Sequence, residues 1–406
     1  MKNCIVAQSG GPTVAINASL AGVIDGVIKS EKFDKIYGSV HGIQGVLKGE
    51  FLDLTQSSSK FIEELSKSPA MYLGSCRFKL PNMEDGKDTY DAIFDCFEEM
   101  NIGAFFYIGG NDSMDTVDKL SQYAKKIGSD IQIAGIPKTI DNDLVVTDHT
   151  PGFGSAAKYI ATSMREMAYD TYIYDIESVL IVEIMGRDAG WLTAASALAR
   201  TEFSEAPHLI YLPETNFDED EFIEDIKRLL PYKKNVIVAV SEGIHDKDGN
   251  YISATSAVAD KFGHAQLSGT GKYLENLVSA RVGVKVRSVE INVLQRSAAH
   301  MSSKSDLDEA FELGLMAVKF VENGNSEFMT IIRRTSNEPY SYEISHSPVI
   351  DIANKAKSVP REWINEAGND VTEDMLTYLK PLVMGEVQLS YVDGVPSYPN
   401  INHLTS

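Results

Sequence analysis

The sequence predicts an α/β protein with two Rossmann-like, three-layer domains, mostly parallel sheets and an active-site cleft between the domains. Three observations predict it. Apolar runs of strand length, such as Ala104–Ile108 and Val179–Ile184, alternate with helical patterns along the chain. Several of these runs stop at a glycine turn or a polar cluster, the end at which open parallel sheets place their ligands. The clusters fall into two series, before and after about residue 150. The predicted domains are residues 1–150 plus about 295–345, and residues 151–294 plus about 346–406.

Composition supports this reading and narrows the partners. A chain of 406 residues can bury two cores, and 43% hydrophobic with 23% charged residues is the balance of a globular protein. No apolar run approaches the roughly 20 residues that span a bilayer. A net charge of −21 argues against nucleic acid or an anionic membrane as a general partner. Phosphorylated ligands remain open if local Arg, Lys and backbone N–H groups, helped by a bound cation, overcome the overall field. The three cysteines, Cys4, Cys76 and Cys96, have neither metal spacing nor a disulfide framework, which suits a reducing cytoplasm.

Taken in order, Cys4–Ala7 reads as the first strand and Gln8–Thr13 as its glycine-rich terminal loop. A signal sequence is the poorer explanation of this start, because Gly10, Gly11 and Pro12 interrupt it at once. From Ala15 the chain is helical, with Leu20, Val23, Ile24, Val27 and Ile28 at core spacing. Such a turn offers backbone N–H groups at a positive helix end and suits a phosphate, although tight packing explains it equally well. Ile36–Val40 is the next strand. Leu73–Phe78 then sets Arg77 beside a glycine turn, and Tyr90, Ile93, Phe94 and Phe97 mark a helix.

Ala104–Ile108 fits a buried parallel strand that breaks at Gly109 and Gly110. The following helix carries Met114, Val117, Leu120, Tyr123, Ala124 and Ile127 on one face. A second strand, Gln132–Ile136, ends in Pro137-Lys138-Thr139-Ile140-Asp141-Asn142-Asp143. Pro151–Ala157 mimics a G-x-G-x-x-A dinucleotide fingerprint but lacks a preceding strand, so it reads as a loop entering a helix. Val179–Ile184 ends at Met185-Gly186-Arg187, and Val236–Val240 ends at Ser241-Glu242-Gly243, with Leu209–Leu212 as a strand between them. Gly269–Lys272 is no P-loop: the required upstream glycine is Gln266, and Tyr273 follows the lysine. Arg287–Leu294 reads as a strand, Leu307–Val321 as an amphipathic helix, Phe328–Arg333 with Tyr340–Ile344 as a strand pair, and Asp374–Tyr378 as a final helix.

The polar clusters suit phosphoryl transfer, which needs alignment, positive charge and a base for the acceptor's proton. Asp141 and Asp143 stand at alternate positions of a predicted strand end, so one can face a reacting hydroxyl while the other faces a metal's water shell. A turn-forming role explains them too, since Asp and Asn favour turns. Lys138 and Arg187 supply charge to offset a transferring phosphoryl group. No Ser/His/Asp or Cys/His arrangement points to acyl transfer.

GGPTVAINA (10–18), GSCRF (74–78), GGNDS (109–113), PKTIDND (137–143), MGR (185–187), SEG (241–243) and VLQR (293–296) together resemble the phosphofructokinase family along nearly the whole chain. The resemblance implies phosphoryl transfer to the 1-hydroxyl of fructose 6-phosphate, with Asp141 as the base. It assigns Thr139, Ile140, Met185, Gly186 and Arg187 to the sugar and the transferring group, and Glu242 to the sugar. Arg296, with Arg287 from a neighbouring subunit, would hold the 6-phosphate; Gly11 and Arg77 would face the donor. The first domain is then the phosphoryl-donor domain and the second the sugar-phosphate domain. Mg2+ is the implied cofactor, and a homodimer or homotetramer in the cytoplasm the implied assembly.

Asp112 and Lys138 stand where ATP-using members have glycine, and the chain looks like the pyrophosphate-using type. A carboxylate at Asp112 would repel a nucleotide's α-phosphate, and burying like charges together is costly. Lys138 would stabilise charge on a donor that has no nucleotide handle. Asn111 replaces the aspartate associated with Mg2+, so a metal contact there uses a neutral oxygen or a water. Ser178 stands where many bacterial relatives carry an arginine, and Val293 replaces a histidine, which leaves sedoheptulose 7-phosphate open as an additional substrate. The alternatives are an ATP-dependent 6-phosphofructokinase and a non-catalytic sugar-phosphate or pyrophosphate sensor, and the presence of a base at Asp141 favours an enzyme.

Overall fold

The structure is a computed structural model that describes residues 1–76, 78–253, 258–259, 265–266 and 269–405. Its principal strands are, in chain order, β1 (Lys2–Gln8), β2 (Phe33–Ser39), β3 (Phe51–Asp53), β4 (Ile102–Gly109), β5 (Gln132–Pro137), β6 (Ser178–Ile184), β7 (Leu209–Tyr211), β8 (Asn235–Ser241), β9 (Lys285–Glu290), β10 (Phe328–Asn337) and β11 (Tyr340–Pro348). The chain divides into two compact units: residues 1–155, 296–356 and 383–406 form the first, and residues 156–295 and 357–382 the second.

The first unit holds a seven-stranded sheet in the order β11-β10-β5-β4-β1-β2-β3. Its central pairs β1/β2, β1/β4, β4/β5 and β5/β10 are parallel, while β3 and β11 close the edges antiparallel. Successive side chains of a strand point to opposite faces, and here both faces are apolar. Cys4, Val6, Ala104 and Phe106 enter a core roofed by the helices Ile16–Ile28 and Lys304–Glu322. Ile5, Ala7, Phe105 and Tyr107 enter the opposite core, with Ile93, Phe97, Met114 and Leu120 of the helices Lys87–Glu99 and Asn111–Ile127. These are the expected three layers. Two roof helices meet backbone to backbone: a Cβ on Gly22 would lie 2.0 Å from the Phe311 carbonyl oxygen, and one on Gly314 would lie 2.1 Å from that of Ser19.

The second unit holds a parallel four-stranded sheet, β9-β6-β8-β7. Val179, Ile181, Val236, Val238 and Val240 pack on Phe222, Ile226, Leu274 and Val278 of the helices Glu219–Leu229 and Thr270–Arg281. Among the described residues no helix is long and apolar enough to cross a membrane.

Four expectations change. Ile28 and Ile127, expected on the core faces of their helices, are the last residues of the helices Ile16–Ile28 and Asn111–Ile127 and stand exposed, where the helix end has run past the sheet it covers. The strand expected over Arg287–Leu294 stops at Glu290, because Asn292 takes a left-handed φ of 48° and Leu294–Ser297 is helical. The three-residue edge strand β3 is not anticipated by any apolar run. The C-terminal segment is not a single piece of the second unit. β11 stays on the first sheet, and the His403 ring reaches the Tyr72 carbonyl at 2.7 Å, which ties the tail to the first unit. Between them, Trp363 and Tyr378 pack against Trp191 in the second unit.

Candidate active site

In the first unit three glycine-rich or polar segments follow adjacent strands: Ser9–Thr13 after β1, Gly110–Asp112 after β4, and Lys138–Asp143 after β5. Lys138 is the centre. Its side chain is only 2% exposed, and its ammonium donates to the Gly11 carbonyl at 2.6 Å. Burial lowers its pKa from 10.5 to about 8, against the pull of Asp141 and Asp143, with the Arg296 guanidinium adding to the lowering. Arg296 lies close by: its Nη1 is 3.4 Å from where a Cβ on Gly11 would sit. The structure therefore brings Gly11, Lys138, Arg296 and the two aspartates together.

The aspartates sit on a turn, not on alternate positions of a strand. β5 ends at Pro137, and Asn142 between them adopts a left-handed φ of 54°, which Asn tolerates better than most side chains. Thr139 Oγ1 accepts from the Asp141 N–H at 3.1 Å, which fixes the backbone at the proposed base. Thr139 and Asp141 are half-buried, while Ile140 is 7% exposed and belongs to the packing beneath.

The other residues of this group have more varied surroundings. Asp112 is exposed in the first turn of the helix Asn111–Ile127, so the expected burial of like charges is absent, and a repulsion of a larger donor would act in a solvated setting. Asn111 has a second task that the sequence does not reveal. Its amide nitrogen donates to the Lys355 carbonyl at 2.7 Å, and its oxygen accepts from the Asn354 N–H at 2.6 Å. A metal could use only the remaining lone pair of that oxygen. Among the described residues no three His, Cys, Asp or Glu side chains are grouped to hold a metal ion. Arg77 lies outside the described residues.

In the second unit, Met185, Gly186 and Arg187 follow β6, and Glu242 follows the adjacent β8. Ser241 Oγ donates to the Gly186 carbonyl, and the Gly186 N–H donates to Glu242 Oε1 at 3.3 Å. A Cβ on Gly243 would lie 1.9 Å from the Arg187 carbonyl oxygen, so the two loops touch along their backbones. Arg187 is part-buried, with its Nε donating to Asp188 at 3.1 Å. Arg287 does not join this group within its own chain. It is exposed on the edge strand β9 opposite Leu180, about 16 Å along the strand from Met185 at the usual rise per residue.

Two glycine-rich turns that imitate phosphate loops are occupied by the protein's own carboxylates. Glu183 accepts from the Gly271 N–H at 2.8 Å, at the start of the helix Thr270–Arg281. Asp306 accepts from the Gly152 and Ser155 N–H groups at 2.9 and 3.0 Å, at the start of the helix Phe153–Tyr172. An anion at either place would meet a buried acid instead of open N–H groups. Burial raises the pKa of both, that of Asp306 to about 6. The missed residues also include His149 and Glu309, which are joined at 2.5 Å. The available signal is the pair Asp306 and Glu309, acids three apart among the apolar positions Leu307, Ala310 and Leu313 of one helix.

A family profile described as Phosphofructokinase matches residues 3–321. The pyrophosphate–fructose 6-phosphate 1-phosphotransferase of Xanthomonas campestris pv. campestris is 40% identical over 405 residues, which cover 99% of this chain and 96% of that protein. The protein of the same name from Rhodospirillum rubrum is 43% identical, with 93% of each chain covered. The crystal structure of the pyrophosphate-dependent phosphofructokinase from Nitrosospira multiformis superposes with a TM-score of 0.88 at 36% identity, covering 98% of this chain and 96% of that one. With this agreement over nearly its full length, the chain belongs to the phosphofructokinase family.

Proposed function

We propose that the protein transfers a phosphoryl group reversibly between inorganic pyrophosphate and the 1-hydroxyl of fructose 6-phosphate, giving fructose 1,6-bisphosphate and phosphate. The names of its full-length relatives support this reading. The observation that carries it is the buried Lys138 ammonium, held against the Gly11 carbonyl and faced by Asp141 and Asp143. A buried cation beside an open glycine loop suits a compact, highly charged donor.

Asp141 takes the proton of the 1-hydroxyl as its oxygen attacks the nearer phosphorus. The bridging P–O bond of pyrophosphate breaks, and the departing phosphate keeps the electron pair. Lys138 and Arg187 neutralise charge that grows on the transferring group and its leaving oxygen. The resemblance assigns Thr139, Met185 and Gly186 to the sugar and the transferring group, Gly11 and Arg77 to the donor and Glu242 to the sugar, while the buried Ile140 supports the turn from beneath. The resemblance gives Arg296 the 6-phosphate; its place beside Gly11 and Lys138 supports contact with the phosphoryl groups as well. Asp112 occupies space that a nucleotide would need.

The residues fit a divalent ion carried mainly by the donor, since Mg2+ keeps several waters and rides on substrate phosphates with few protein ligands. Asn111 would meet it through its remaining lone pair, directly or through water. When bound, the ion supplies charge neutralisation on the phosphate oxygens. We place the enzyme in the cytoplasm as a homo-oligomer. Arg287 on its exposed edge strand would serve a neighbouring subunit's 6-phosphate, and the exposed Tyr169, Ile173 and Tyr174 of the same unit support such a contact.

Steady-state assays with fructose 6-phosphate and either donor test the assignment. Pyrophosphate with Mg2+ is expected to exceed ATP by about 100-fold or more in kcat/KM, and chelation of the metal to stop turnover. A preference for ATP would sink the donor assignment, and an undiminished rate in chelator would remove the metal.

A further inference from the structure

The Lys138–Asp143 turn continues into a return limb, residues 144–151, that the proposed chemistry does not use. The limb is fastened to the turn at its base. Thr150 Oγ1 donates to the Thr139 carbonyl at 2.8 Å, the Thr150 N–H donates to Asn142 Oδ1 at 3.1 Å, and the Thr139 N–H donates to the Pro151 carbonyl at 3.2 Å. Whatever holds residue 149 therefore holds the turn, one residue away.

His149 is 1% exposed, and both of its ring nitrogens meet carboxylates: Nδ1 lies 2.8 Å from Asp148 Oδ1, and Nε2 lies 2.5 Å from Glu309 Oε2. Each carboxylate is held in turn. Tyr340 donates its hydroxyl to Glu309 Oε1 at 2.6 Å, and Arg334 donates Nε and Nη2 to Asp148 Oδ1 at 3.1 and 2.8 Å. The backbone adds Asp148 N–H to the Ile332 carbonyl and Ile332 N–H to Thr147 Oγ1, both at 3.0 Å. Burial works against a charged imidazole here. The charge of Glu309 and the hydrogen bonds of both carboxylates outweigh it and raise the pKa of His149 to about 9. At neutral pH two cations, His149 and Arg334, thus face two anions in a network with every member bonded, the condition under which buried polar groups rigidify a structure.

We propose that His149 is a positioning residue for phosphoryl transfer: it bolts the return limb of the Lys138–Asp143 turn to the helix Lys304–Glu322 and the β10–β11 hairpin, and so orients Asp141 and Lys138 without touching a substrate. The order of the effect follows from geometry, since a displacement of about 1 Å at a reacting group costs on the order of 100-fold in rate. The proposal rests on the phosphoryl-transfer reading of the site.

The test compares wild type, His149→Gln, Glu309→Gln, their double variant and Tyr340→Phe in kcat, in KM for each substrate and in thermal midpoint. His149→Gln is expected to lower kcat about 30-fold, with both KM values within about threefold of wild type. The double variant is expected to be no worse than the poorer single one, because the pair acts as a unit. Tyr340→Phe keeps every charge and is expected to lower kcat about threefold. A folded His149→Gln with kcat within about twofold of wild type, or a loss carried by KM alone, overturns the proposal. If His149→Gln does not fold, Tyr340→Phe decides: an unchanged kcat overturns the proposal. Amide exchange followed by mass spectrometry gives a readout without turnover. It is expected to quicken about tenfold over residues 139–143 in the His149 or Tyr340 variant while the central strands stay protected, and unchanged exchange there overturns the proposal. A wild type inert with pyrophosphate would overturn the donor reading alone, leaving the exchange result to judge His149.

Discussion

Asp141→Ala is expected to fold like the wild type and to lose kcat by about 1,000-fold, within the range that a positioned general base contributes. Folding should survive because Asp141 is only half-buried and the bond from its backbone N–H to Thr139 Oγ1 is kept by alanine. The loss should fall on kcat because, in the proposed mechanism, the carboxylate acts on a proton that moves in the transition state. A second effect has a defined sign. Asp141 is the strongest of the charges that support the Lys138 ammonium, so its removal lets Lys138 give up its proton at a lower pH. The alkaline limb of the residual activity should therefore move toward acid. Near-wild-type turnover in Asp141→Ala would remove this residue from the mechanism.

Replacing Asp112 and Lys138 together by glycine is expected to lower kcat/KM for pyrophosphate by about 1,000-fold and to bring ATP binding into the measurable range. The single change Lys138→Met isolates the cation. Lys138 is charged below about pH 8 and neutral above it, so kcat/KM for pyrophosphate should be full below that pH and fall as pH rises through it. The methionine variant should lack this limb while retaining whatever pH dependence belongs to the substrates. Stability runs the other way. A lysine pKa lowered from 10.5 to about 8 means that the unfolded chain holds the proton more tightly, a destabilisation on the order of 3 kcal/mol below pH 8 that fades as pH rises toward 10.5. Lys138→Met is thus expected to raise the thermal midpoint at neutral pH while losing about 100-fold in turnover. A double glycine variant that gains no ATP affinity would count against the exclusion of nucleotide by these two side chains. A methionine variant that keeps the alkaline limb would take that limb away from Lys138.

What the sequence could tell followed from range. The buried strands β1, β4, β5, β6 and β8 are legible as apolar runs because both faces of each sheet are covered, and their polar ends are legible because the runs stop there. Lys138 and Asp141 stand in such an end. What stayed hidden depends on partners far apart in the chain. Asn111 meets Asn354 and Lys355 across more than 240 residues, and His149 meets Glu309 across 160. No local pattern marks either pairing: the acids Asp306 and Glu309 among apolar helix positions hint at burial but name no partner. The same limit applies to the imitated phosphate loops. Glycines announce a turn that a phosphate could approach, but only the fold reveals Glu183 and Asp306 already seated there. The overrun of β9 has a local cause, since one left-handed Asn292 ends a strand whose apolar residues continue past it.

The reaction run in reverse tests the central claim most directly. The enzyme is incubated with fructose 1,6-bisphosphate, inorganic phosphate and Mg2+, with no nucleotide present, and followed by phosphorus NMR. A donor site built around Lys138 and the Gly11 loop predicts that a pyrophosphate resonance grows in step with fructose 6-phosphate until equilibrium. Unchanged bisphosphate and phosphate signals, with turnover appearing only when a nucleotide is added, would contradict it.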